Sequence, residues 1–122
     1  NTIYLSDYAQ RAVLAVARHG GQTHTFCRSP RGSADGLAVD CDGGVWVALG
    51  EGGGVARFHP DGQLDEITTL PASFVSSLSF GGADMRDVLV TTADNHVRPE
   101  LGGTLLRARS EVAGLAVAPV LV

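Results

Sequence analysis

The sequence contains no lysine: its nine basic residues are all arginine, set against 13 acidic ones, for a formal net charge of −4 over 122 residues. Those arginines are scattered along the chain, so no basic patch of the kind that grips nucleic acid forms. No apolar run approaches the roughly 18 residues that a membrane helix needs, and no membrane partner is expected. Cysteine is scarce: Cys27 and Cys41 lack metal-type spacing. They read as free, partly buried thiols of a reducing compartment rather than a disulfide, and a cytoplasmic location is the expectation. His19, His24, His59 and His96 form neither H-x-H nor H-E-x-x-H, so zinc held by histidines is not indicated. The Gly52-Gly53-Gly54 run is not a G-x-G-x-x-G opening a helix, and nucleotide binding has no support. No segment keeps a 3.6-residue apolar period over three turns, so helix is expected to be scarce. The chain opens on Asn1 inside what reads as a strand, with neither an initiating methionine nor a signal peptide. That start suggests a processed chain or a fragment.

Apolar residues make up 44% of the chain, enough for one folded domain, and 16 glycines and 5 prolines punctuate it. Between them lie short runs rich in β-branched and aromatic residues: Thr2–Ser6, Ala12–Ala17, Thr23–Cys27, Gly36–Asp40, Val45–Leu49, Gly54–Phe58, Asp65–Thr69, Val75–Phe80, Val88–Thr92, Thr104–Ala108 and Ala116–Leu121. Each is expected to be a strand. Gly20-Gly21, Asp42-Gly43-Gly44, Asp61-Gly62 and Gly81-Gly82 supply the positive φ angles that tight hairpins need.

An internal repeat orders these strands. Ile3–Gln22 aligns with Val45–Gln63: an aromatic-bearing strand, a loop, a second strand, then a Gly-bearing turn and Gln, with Tyr4 and Trp46 in matching places. Val88-Leu89-Val90 follows Val45-Trp46-Val47 at a similar interval, and Gly103–Arg107 matches Gly54–Phe58. A period of roughly 40–45 residues with four strands per unit is the pattern of β-propeller blades. The fold class is therefore all-β, with about three four-stranded antiparallel blades over approximately 1–30, 34–70 and 74–122 in one partial propeller domain. The first lacks its innermost strand. Propellers close with about four blades or more, so the ring is expected to be incomplete.

Ala34-Asp35-Gly36-Leu37-Ala38-Val39-Asp40-Cys41-Asp42-Gly43-Gly44-Val45-Trp46-Val47-Ala48 resembles the P-D-G-(apolar)-x-x-D-x-x-G-x-(apolar)-W-V-A stretch of the senescence-marker-protein, gluconolactonase and luciferin-regenerating-enzyme family, which includes regucalcin. Ala34 stands where the family has proline. Gly54–Gly62 matches its G-R-V-x-R-F-D-P-D-G loosely, one residue short. Ser77–Asp84 and Leu89–Ala93 match its S-x-x-F-G-G-x-D and Y-V-T-T-A, and Gly103–Arg107 its G-x-L-(apolar)-x strand. The resemblance covers essentially the whole chain and corresponds to the C-terminal half of a family member.

What the resemblance implies is a six-bladed propeller with a divalent metal in its central channel, hydrolysing sugar lactones. Calcium is the expected metal, with magnesium, manganese or zinc as alternatives. Asp35 falls on the family's metal-ligand Asp and is the candidate catalytic and metal residue. The family's other ligands, a Glu in the first blade and an Asn just upstream, lie outside these 122 residues. The alternative for Asp35 is a turn Asp bonding its own backbone. Ser76 and Ser77 begin a strand at the place equivalent to Asp35 and are candidate channel-lining residues; the plainer reading is small polar residues that satisfy backbone groups. No G-x-S-x-G surrounds them, which argues against a nucleophilic serine. Asp7 is a third channel-mouth candidate, against a role between blades. Asp40 and Asp42 read as turn formers, and Trp46 as a core residue between blades.

Two functions fit. One is a metal-dependent lactone hydrolase, incomplete as a single chain and completed by a homodimer closing a six-bladed ring or by a missing N-terminal half. The other is a non-catalytic half-propeller that serves as a binding or assembly module.

Overall fold

A computed structural model of the chain describes residues 2–96 and 98–118. Ten strands form three antiparallel sheets, and no α-helix occurs among the described residues. Sheet 1 has the order β1 (Thr2–Asp7), β2 (Ala12–Ala17), β3 (His24–Arg28). Sheet 2 is β4 (Leu37–Val39), β5 (Val45–Ala48), β6 (Gly54–Phe58), β7 (Leu64–Thr69). Sheet 3 is β8 (Val75–Gly81), β9 (Asp87–Thr92), β10 (Leu105–Arg109). Every strand pairs with its neighbour in sequence, as the short Gly-bearing turns require.

The sheets stack face to face as propeller blades, and the alternation of side chains along a strand divides the core in two. From β5, Val45 and Val47 point into a cluster with Val13, Cys27, Ala56 and Phe58, between sheets 1 and 2. Trp46 and Ala48 point the other way, toward Val55, Leu78, Phe80, Val88 and Val90, between sheets 2 and 3. Sheet 2 is thus covered on both faces. The Trp46 indole meets the Phe80 ring edge-on at 5.4 Å, the between-blade position its sequence context indicated. Sheet 1 leaves its far face open: Ile3 and Leu5 are about half exposed, at 46% and 48%.

The differences from the expected strands lie at their ends. β3 is shifted by one residue, and β4 shrinks to three because Asp40 turns away to bridge Gly114. Residues 116–118 form no strand, and the rest of the expected Ala116–Leu121 strand lies outside the described residues. Instead, the segment before it crosses to sheet 2: Cys41 donates its N–H to the Ala113 carbonyl and Leu115 donates to that of Val39. The connection between β9 and β10 carries one short 3-10 turn at Pro99–Leu101.

Candidate functional site

Asp35 sits at the mouth of sheet 2, where the three sheets come together. Its N–H donates to the Ala48 carbonyl at 2.9 Å, and Ala48 N–H returns to Gly36 at 2.8 Å, which extends the β4–β5 ladder. Gly36 N–H donates to the Ser76 carbonyl of sheet 3 at 2.9 Å. The Ser6 hydroxyl of sheet 1 donates to the Asp35 carbonyl. Gly36 is required by close approach: a Cβ there would lie 2.2 Å from Ser77 Oγ and 2.7 Å from Ser77 Cα. The motif glycine therefore lets sheet 3 close onto the Asp35 backbone. With the main chain fixed on three sides, the carboxylate has a defined origin. Burial pushes its pKa up from the ordinary value, with the Gly36 backbone pulling partly back.

The other sequence candidates fall around it unequally. Ser77 lies directly against Gly36. Ser76 offers its carbonyl to Gly36, while its hydroxyl bonds the Thr91 carbonyl and hydroxyl at 3.1 and 2.9 Å. Ser77 against Gly36 and the Ser76–Thr91 hydroxyl pair thus lie on the sheet 3 strand that meets the Asp35–Gly36 backbone. Asp7 is engaged elsewhere: its two carboxylate oxygens accept from the Gln10 backbone N–H and side-chain amide, both at 2.9 Å. That carboxylate closes the β1–β2 turn. Ser6, one residue earlier, is the member that sequence reasoning missed. Its partner is 29 residues away, and no local pattern signals it.

Two further acids organise the surroundings. Asp40, 1% exposed, accepts from Asp42 N–H and Gly44 N–H on one oxygen, and from the Trp46 indole and Arg57 on the other. Burial alone would raise its pKa, but Arg57, Trp46 and the Gly44 N–H outweigh this and hold it below the ordinary range. Asp40 is thus a turn former, as expected, and also a buried anchor. Glu51 ties sheets 1 and 2 together, accepting from Ser33 N–H and hydroxyl and from the Tyr8 hydroxyl, with Arg11 at 3.4 Å.

A hard divalent cation takes about six to eight oxygen ligands as calcium or six as magnesium. Asp35 offers one carboxylate. Among the described residues no three or more His, Cys, Asp or Glu side chains converge where they could hold a metal. The residues of this chain alone therefore do not fit a complete cation site.

Consecutive antiparallel sheets stacked face to face, each built from neighbouring strands, define the fold class: β-propeller blades. Residues 1–94 match the SMP-30/gluconolactonase/LRE-like region, and the chain belongs to that family. It is 38% identical over 98 residues to the 6-deoxy-6-sulfogluconolactonase of Pseudomonas putida, covering 75% of this chain and 33% of that protein. It is 35% identical over 94 residues to a pentonolactonase of Haloferax volcanii, covering 75% and 31%. A crystal structure of a calcium-binding protein, regucalcin, from Agrobacterium tumefaciens superposes with a TM-score of 0.83 at 26% identity, over 93% of this chain and 43% of that one. The chain spans about a third of the length of the curated relatives it matches.

Proposed function

We propose that this chain supplies the Asp35-bearing part of a sugar-lactone hydrolase, and that it acts when the propeller is completed by other blades. The observation that carries this is the placing of the motif acid: the Asp35–Gly36 backbone is held from three sheets at once. The likeness to two sugar lactonases supports the substrate class. Asp35 contributes one carboxylate to a divalent-cation site, calcium first, whose remaining ligands come from outside these residues. A bound cation would supply Lewis acidity at the lactone carbonyl. The Asp35 carboxylate is placed to orient water toward that carbonyl and to accept its proton. Ser77 and the Ser76–Thr91 pair orient the ring hydroxyls of the lactone. Two copies of the chain would give six blades, so a two-fold dimer closing one ring is one route to completion; a complementary N-terminal half is the other.

The second reading, a half-propeller binding or assembly module without chemistry, draws on the single carboxylate available here. Light scattering on a sizing column identifies the assembled form. Hydrolysis of a sugar lactone by that form is then measured with calcium, magnesium, manganese or zinc. Cation-dependent turnover supports the hydrolase. Neither turnover nor a cation-dependent rise in melting temperature supports the module.

A further inference from the structure

β4 is an edge strand of sheet 2 and pairs with β5 on one side only. Asp40 N–H bonds Gly44 and Ala48 N–H bonds Gly36, so the even-numbered residues turn their main chain toward β5. The N–H and C=O groups of Leu37 and Val39 therefore face the other edge, which runs up to Asp35. The segment after β10 begins to pair with that edge. Asp40 and Gly114 form an antiparallel bridge, Cys41 N–H donates to Ala113 at 2.8 Å, and Leu115 N–H donates to Val39 at 2.8 Å. Gly114 N–H also donates to Met85 in the β8–β9 turn at 2.7 Å, and a Cβ on Gly114 would lie 2.1 Å from Phe80. The start of the segment is thus fixed on two sheets. Among the described residues the pairing stops there: 116–118 form no strand, and Leu115 and Val117 are 57% and 90% exposed.

The register of that bridge says where the next residues fall. Continued in the same antiparallel sense, it sets Ala116 beside Ala38, Val117 beside Leu37 and Ala118 beside Gly36, next to Asp35. Side chains of such neighbours share a face. Leu37 and Val39 pack toward the core between sheets 1 and 2, so Leu115 and Val117 would extend a large apolar face. Ala38 packs toward sheet 3, the side on which Ser77 presses Gly36 and Phe80 presses Gly114. That crowded side would receive only Gly114, Ala116 and Ala118. The alternation of the segment therefore matches the edge: large side chains toward sheet 1, small ones where sheet 3 leaves no room.

We propose that residues 113–118 form a strap that docks along the free edge of β4 and closes over the approach to Asp35. In the docked form Val117 exchanges main-chain hydrogen bonds with Leu37, and Ala118 comes to rest against the Asp35–Gly36 backbone. The bridge at Gly114 is the fixed point, and the exposed residues after it are the part that swings. Docking takes part of the Leu115 and Val117 side chains out of water and adds main-chain bonds, small gains that keep opening easy. The effect of the strap on lactone hydrolysis rests on the function proposed above; its docking does not.

Disulfide trapping in the whole chain tests the docking. Ala38 and Ala116 would form a non-hydrogen-bonded pair with Cα atoms about 4.5 Å apart, within reach of a disulfide. Ala38→Cys/Ala116→Cys is made with Cys41→Ser, because Cys41 is exposed. It should oxidise about ten-fold faster than Ala38→Cys/Val117→Cys, whose side chains fall on opposite faces. Adding Val117→Pro to the first pair removes the N–H that donates to Leu37 and should slow trapping; circular dichroism checks that each variant folds. Equal rates for the two pairs, or a rate that Val117→Pro leaves unmoved, would overturn the docking. Closure is read by nuclear magnetic resonance: a soluble paramagnetic probe should lose access to the Asp35 side-chain protons in the trapped form and regain it on reduction. Lactone hydrolysis by the ring-completed assembly should fall about ten-fold on trapping and return on reduction. Unchanged probe access, or turnover unaffected by trapping, would overturn the closure. If neither form hydrolyses a lactone, the hydrolase reading is what fails, and trapping and probe access still decide the strap.

Discussion

The buried acid that follows β4 in sheet 2 and the acid that opens β9 in sheet 3 meet their arginines in opposite settings. Asp40 has no exposed side-chain surface, and Arg57 beside it is 12% exposed. Asp87 also pairs with two arginines, Arg107 and Arg109, but their side chains are 67% and 56% exposed. The same chemistry therefore has different weight. An ion pair out of water leaves an uncompensated charge when one partner is removed, whereas a solvated arginine simply returns to water. Completeness of the blade makes the difference: β7 covers Arg57 through Asp65, and no described strand covers Arg107 and Arg109.

The largest expected effect breaks that contrast at its buried side. Asp40→Ala leaves the Trp46 indole and the Gly44 N–H without their acceptor and leaves Arg57 only Asp65, and should cost about 3 kcal/mol in urea unfolding. Asp87→Ala should cost clearly less in the same experiment; equal losses would remove the distinction. Next is the junction beside Asp35. Gly36→Ala drives a methyl group into Ser77 and should cost about 1–3 kcal/mol, with much of the loss recovered by adding Ser77→Gly. Ser6→Ala removes a single hydrogen bond across sheets 1 and 2 and should cost about 1 kcal/mol.

The smallest effect is one of sign, read from melting temperature against pH. Arg109 holds Asp84 down to about 2, and Asp40 and Asp87 also lie below the ordinary carboxylate range. The stability these groups contribute is present above about pH 4 and lost as the pH falls through their lowered values. Asp35 is raised, so it behaves in the opposite sense. Its contribution is full below its ordinary pKa and lost as the pH rises through the raised value. Asp35→Asn should therefore melt higher than the parent at neutral pH, with the gap closing below about pH 4. A variant that melts lower at neutral pH would contradict the burial of that carboxyl.

Much of this architecture is legible in the sequence because strands and turns are local. Val45 and Val47 against Trp46 and Ala48 announce a strand buried on both faces, and Asp61-Gly62 announces the β6–β7 hairpin. Asp35 is legible because its neighbours form a motif. Its surroundings are not. The Ser6 hydroxyl, the Ser77 side chain packed on Gly36 and the Glu51 cluster all join residues far apart in sequence. Such contacts follow from how blades stack, which no strand pattern encodes. Asp7 shows the converse: a carboxylate at a strand end can equally face a channel or close a turn, and here its oxygens bond Gln10. Residues 116–118 do not continue the apolar strand pattern; just before them Gly114 packs against the Phe80 ring and pairs with Asp40.

The most direct test of the account is sugar-lactone hydrolysis by the ring-completed assembly, run side by side for the parent chain and Asp35→Asn. The account predicts cation-dependent turnover in the parent and its loss in the variant, with native mass unchanged and melting temperature no lower. Turnover that survives Asp35→Asn would contradict it, as would a completed ring that hydrolyses no lactone.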